Sequence, residues 1–348
     1  MSNANKFAAC ISANHSTVDA YLDTAMELSK IDRKNHHQVT EKGVPLVYDM
    51  MVTISTPSEY PDGTVGVSGQ TTLTGSVKTA PNNWQTRNAV RMTHFTRDDL
   101  RKEAGVVKGS IGKYAKTLRM NLDPQMFGLA VRPTTNITAD ATRYQRIYSA
   151  FDLRLNALSA GSAGGNFVGG VWDYTQLAQV KETDANTANP FYVNVAGAHN
   201  AVAPGPYTYV SALQGYNQRR QTTLDDSTVT SGGDTQFIEN DSPFFRVPQQ
   251  DVSEDAYVDI TLDEQDNPPY DRATTNSSDF GRTQIAEYFQ LTSQNSQVSF
   301  RIQAPLGLVH FNLADMWGEG FEQEPPVYVT DKTQQIVLEV EVLGTYEM

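Results

Sequence analysis

Alternation of apolar and polar positions recurs along this chain and predicts a β-rich protein. From Thr64 to Lys78, Val65, Val67, Leu73 and Val77 all occupy odd positions in a stretch rich in Thr, Val and Gly. That is the period of a strand, with glycines where bulges form. Residues 46–54 form a strand run before it, across the turn Tyr60-Pro61-Asp62-Gly63. Near the other end, Ile336, Leu338, Val340 and Val342 share one face, with Glu339 and Glu341 on the other. Further short runs stand at 113–122, 126–132, 191–196, 207–213, 236–247, 257–262, 285–291, 298–304 and 308–313. Polar connections separate them, a spacing that suits sandwiches better than βαβ units.

Two stretches carry a helical period. Ser16 or Thr17 can cap a helix reaching Ile31, with Val18, Leu22, Ala25 and Leu28 on one face. Asn82 or Asn83 can cap a second, from Trp84 to Ala104, which Gly105 is placed to end. Within it, Thr96 followed by Asp98 and Asp99 reads as a further cap. Residues 143–158 fit a helix through Ile147, Phe151, Leu155 and Leu158, but their aromatic density also fits a strand, which we expect. The Gly-, Ser- and Ala-rich stretch 161–170 suggests a boundary. The expected division is 1–43 as an N-terminal arm and helix, 44–170 as a first β unit and 171–348 as a second.

Charge changes this picture in one place. The 348-residue chain has a net charge of −13, yet residues 78–119 hold ten Lys or Arg against Asp98, Asp99 and Glu103, a balance of +7. Everything else therefore sums to −20. Arg87, Arg91, Arg97, Arg101, Lys102, Lys108, Lys113, Lys116 and Arg119 form a candidate basic face, with Trp84, Phe95 and Tyr114 available for stacking. Such a face can engage phosphates or pair with acids of neighbouring subunits, and the large acid excess favours the second. Lys30, Arg33 and Lys34 at the end of the first helix are candidate arm contacts.

Candidate chemistry is sparse. Gly109-Ser110-Ile111-Gly112-Lys113-Tyr114 is P-loop-like, but Val107 stands where a glycine belongs and Tyr114 where the magnesium-ligating hydroxyl belongs. The six histidines, His15, His36, His37, His94, His199 and His310, form no HExxH pattern and read as surface or structural groups. Cys10 is the only cysteine, which excludes an internal disulfide framework. The acidic run 251–271, above all Asp263-Glu264-Gln265-Asp266-Asn267, can hold calcium or simply be a solvated loop, and composition favours the loop. Asp315, Glu319, Glu322 and Glu324 form a second such cluster. No secretory leader and no apolar run of about 20 residues is visible, so folding in a cytoplasm is expected.

Two β-rich halves, a short helical arm, a strand-then-helix passage through Ala80-Pro81-Asn82-Asn83-Trp84 and a closing strand resemble the double jelly-roll major capsid proteins of small tailless icosahedral viruses of bacteria and archaea. The resemblance implies an all-β fold: two consecutive eight-stranded jelly-roll β-sandwiches with short helical insertions and an N-terminal helical arm. It implies a structural, non-enzymatic protein that self-assembles as pseudo-hexagonal homotrimers into a virion shell, assembled in the host cytoplasm without a cofactor. Neighbouring capsomers, vertex or minor capsid proteins, and an internal membrane or the genome are the implied partners. A one-jelly-roll chain with large insertions is the other architecture these elements allow. A glycan- or receptor-binding β-sandwich such as a phage spike, using Trp172, Tyr174, Tyr207 and Tyr209, is the alternative function. A polysaccharide-processing enzyme, with two carboxylates about 5–10 Å apart, is a third.

Overall fold

The computed structural model describes residues 5–13, 18–32, 34–55, 72–112, 116–126, 144–146, 175–180, 188–197, 209–221, 283–292, 295–316 and 334–348. The fold is mostly β, with few helices. Its strands are β1 (Lys6–Ala13), β2 (Val18–Asp23), β3 (Leu46–Ser55), β4 (Thr72–Thr79), β5 (Tyr144–Arg146), β6 (Gln176–Val180), β7 (Ala188–Asn194), β8 (Tyr209–Ser211), β9 (Gln284–Leu291), β10 (Gln297–Pro305), β11 (Leu308–Met316) and β12 (Gln334–Glu347). The helices are α1 (Thr24–Asp32), α2 (Trp84–Glu103) and α3 (Ala212–Gln221).

Two sheets face each other. One has the order β1-β12-β3-β10 and is antiparallel throughout; the other runs β5-β2-β11-β4-β9, with only the short β5 parallel to its neighbour. Period-2 alternation makes this possible: Met50, Val52 and Ile54 of β3 and Ile336, Leu338, Val340 and Val342 of β12 point inward from the first sheet. Val309, Phe311 and Leu313 of β11, with Leu73 and Val77 of β4, meet them from the second. Burying each such side chain contributes about 1.5–3 kcal/mol, so the facing pattern far outweighs any single polar contact. The register of β12 shifts between Val342 and Gly344, and Leu343 beside the shift is exposed.

A second core forms where the connection between β4 and β9 packs on the outer face of the second sheet. Ala89 and Val90 of α2, Phe191 and Val193 of β7, and Leu118, Met120 and Leu122 of the preceding segment all lie in it. The sandwich contributes Tyr21, Leu306 and Leu308. Leu306 and Gly307, with φ of 63° and 69°, carry the chain from β10 in one sheet to β11 in the other, and the Gly307 N–H donates to the Ala304 carbonyl at 3.1 Å. Leu306 holds this strained conformation while fully buried, so its side chain plugs the second core. Gly43, at φ +82°, lets the loop before β3 close on α2, because a Cβ there would lie 2.6 Å from the His94 ring.

Several expectations change. The helix expected to run to Ile31 from a Ser16 or Thr17 cap begins only at Thr24; Val18–Asp23 is strand β2, paired with β11. Asp23 caps the helix, its Oδ1 accepting from the Met26 N–H at 3.1 Å. Lys6–Ala13, expected within the N-terminal arm, is strand β1 against β12, and it contains Cys10. Across the expected boundary between 44–170 and 171–348, β3 pairs with both β10 and β12, and β4 with β9 and β11. α2 is unbroken through Thr96 to Asp99. Residues 116–120 are irregular rather than strand, though Asn121 bridges to Asn194. Runs 236–247 and 257–262 lie outside the described residues, as do 64–71 and most of 126–132 and 143–158; within the last, 144–146 is strand.

Candidate functional site

Helix α2 is the element that carries the predicted basic face. Asn83 caps it, its Oδ1 accepting from the Thr86 N–H at 2.9 Å, and Gly105 ends it at φ +73°. Thr86, Ala89, Val90, Thr93, His94 and Arg97 are buried. Trp84, Arg87, Arg91, Phe95, Asp99 and Lys102 form the opposite, exposed stripe, at the three- and four-residue spacing that keeps side chains on one helix face. Trp84 is 49% and Phe95 52% exposed. Trp84 also meets the Tyr216 ring of α3 edge-on, with centroids 6.3 Å apart.

The structure therefore divides the nine candidate cations. Arg87, Arg91, Lys102 and Lys116 are exposed, and Arg101 and Arg119 half-buried. Lys102 Nζ donates to Asp99 Oδ1 at 3.1 Å. Arg97 is a correction: it is buried, with its Nη1 donating to the Lys116 carbonyl at 3.2 Å. Burial lowers its pKa to about 10, and Arg101 and Arg119 push the same way against Asp98. Burial likewise lowers Arg101, opposed by Asp98. Lys108 begins a short 3₁₀ turn, Lys108–Ser110, and Lys113 lies outside the described residues. Of the arm contacts, Lys34 is exposed, Lys30 lies in α1 and Arg33 is outside the described residues.

Sequence reasoning missed a buried polar cluster between the sandwich and the inserted segment. His310 Nε2 lies 2.9 Å from Asp19 Oδ1, which also accepts from Asn312 Nδ2 at 2.6 Å. The Tyr21 ring stacks on His310 with centroids 4.4 Å apart, and its hydroxyl donates to Asp123 Oδ2 at 2.9 Å. Asp123 Oδ1 accepts from the Met126 N–H at 2.9 Å. Burial raises the Asp123 carboxyl, opposed first by His310 and reinforced slightly by Asp19. Nearby, Gln38 Nε2 donates to Asp23 Oδ2 at 2.9 Å while its Oε1 accepts from the Met120 N–H at 2.7 Å. The detectable signal was Asp19 and Tyr21 two apart on one strand face; their partners are more than 100 residues away.

These groups fix the insertion on the sandwich and hold one another. Among the described residues no set of three His, Cys, Asp or Glu is placed to hold a metal ion, and no helix is long and apolar enough to cross a membrane. The acidic run 251–271 lies outside the described residues, as do Glu319, Glu322 and Glu324. Trp172, Tyr174 and Tyr207 do too, so the expected aromatic set is represented only by Tyr209, half-buried in β8. No family model matches the chain, and no match is found among curated proteins or solved structures.

Proposed function

We propose that this chain is a viral coat subunit, built on one jelly roll with a long insertion, that self-assembles into an icosahedral shell around a genome. The observation that carries this is strand order. Leaving aside the short β5, the two sheets read β1-β12-β3-β10 and β2-β11-β4-β9. Successive strands change sheet at every step except β4 to β9, which are neighbours in one sheet. Eight strands interleaved in this way make a double Greek key, an arrangement shared by viral capsid and lectin domains. The long connection from β4 to β9 carries α2, the β6-β7-β8 sheet and α3. Among the described residues β9 to β12 pair into the same two sheets as β1 to β4, which supports one roll with an insertion over two consecutive rolls.

A jelly roll hosts other functions, so assembly is what distinguishes the coat reading. Purified chain, followed by light scattering and negative-stain imaging over a range of concentration and salt, is expected to form regular capsomers or closed shells. A chain that stays monomeric throughout overturns the proposal, and glycan binding becomes the next activity to assay.

A further inference from the structure

We infer that Asn121 and Asn194 form an internal water site, at which at least one ordered water joins the segment 119–122 to β7. Asn121 and Asn194 stand opposite each other in a parallel bridge, and Asn194 in turn stands opposite Ser211 of β8. Facing residues of paired strands project to the same side, so the three side chains make one row. Their neighbours in sequence, Met120 and Leu122, Val193 and Val195, Val210 and Ala212, all lie in the second core. The row therefore points to the other face of the small sheet. That face is also closed to solvent here, because Asn121, Asn194 and Ser211 are each 0% exposed.

The amide oxygen and nitrogen of both asparagines are buried and have no hydrogen-bond partner among the described residues. The backbone of Asn121 is already engaged, its N–H donating to the Val193 carbonyl at 3.1 Å and its carbonyl accepting from the Val195 N–H at 2.9 Å. Ser211 ends the row, its Oγ accepting from the Gln214 N–H at 3.3 Å. A buried donor or acceptor left dry costs its full desolvation, and four of them would take a large share of a domain's stability. Water answers this because it both donates and accepts, as the two amides together require. Paired strands lie about 4.8 Å apart, and a water making two bonds of about 2.9 Å bridges polar atoms up to about 5.8 Å apart. A larger solute cannot reach side chains that are 0% exposed, and neither amide carries a charge to hold an ion. The position matters for the fold. The same segment is tied to the sandwich by the Met120 N–H on Gln38 Oε1 and by Asp123 on the Tyr21 hydroxyl, so the water belongs to the joint that fastens the insertion.

The test is an experimental structure of the full-length wild-type chain at a resolution that shows ordered water, together with magnetic relaxation dispersion of the water oxygen in solution. Density for a water within about 3.2 Å of a polar atom of each amide is expected. The dispersion is then repeated on Asn121→Leu with Asn194→Leu, which removes both amides at once and leaves neither unpaired. This variant is expected to lose at least one long-lived water from the wild-type count. If circular dichroism shows it misfolded, Asn121→Val with Asn194→Val takes its place, since β-branched side chains suit strands. Amides bonded directly to each other or to another protein group, with no water between them, overturn the inference. An unchanged water count in a folded variant does the same. The coat reading does not depend on either result.

Discussion

Replacing Tyr21 with Phe should destabilise the fold by an amount that grows with pH. The change removes one O–H and keeps the ring, which stays stacked on His310 without opening a cavity. Asp123 Oδ2 then loses its donor, leaving the carboxylate held by the Met126 N–H at Oδ1. Asp123 is 8% exposed, and a hydrogen bond to a buried charged group contributes about 1.5–3 kcal/mol, against about 1 kcal/mol for a neutral one. Burial already raises this carboxyl. A raised carboxyl favours the folded state fully below its unfolded value and loses that advantage as pH rises through the folded value. Without Tyr21 the folded value climbs further, so the loss at neutral pH deepens. Urea unfolding monitored by circular dichroism should show a cost near 2 kcal/mol at pH 7.5 and about half that at pH 4.5. A cost below about 0.5 kcal/mol at pH 7.5, or one that is larger in acid, would refute the reasoning.

Two further outcomes are expected. Gly307→Ala forces a left-handed alanine whose Cβ would lie 2.9 Å from Tyr48 Cδ2 and 3.2 Å from Thr24 Cβ; we expect a loss of about 2–4 kcal/mol in the same unfolding assay, and a loss under 1 would show that the turn relaxes. Arg301 donates from Nε to Asp49 Oδ1 at 2.8 Å and holds that carboxyl below its ordinary value. Its contribution is present at neutral pH and disappears as pH falls through the lowered value, so Asp49→Asn should lower the melting temperature at pH 6, with the difference from wild type shrinking as the solution is acidified.

Local pattern was enough to find some elements and not others. β12 is legible because Ile336 to Val342 alternate cleanly, and α2 because Asn83 and Gly105 mark its ends. β2 is not legible, because Val18, Leu22, Ala25 and Leu28 satisfy a helical period while Val18, Ala20 and Leu22 also satisfy a strand period; pairing with β11, nearly 300 residues away, decides. The small side chains of β1 conceal it similarly until β12 is beside it. A boundary at a Gly-rich stretch assumes that neighbours in sequence pack together, and the interleaved sheets break that assumption. The burial of Arg97 was within reach of the sequence, since it falls on the helix face of Val90 and Thr93. The Tyr21 to Asp123 contact was not, because it joins the sandwich to a segment whose path no local period dictates.

The pairing of β1 with β12 has a consequence for how the chain is made. Ala13 finds its partner in Gln334, about 320 residues later, so at translation speeds of about 5–20 residues per second the first strand waits at least about 15 seconds for its neighbour. β3 waits somewhat less, for β10 and then β12. During that interval Val52, Ile54 and the unmatched backbone of the early strands are open to the wrong partner, including the same strands on another ribosome. Such a chain has high contact order and should fold slowly. Its yield would then depend on chaperone supply and growth temperature more than on its final stability.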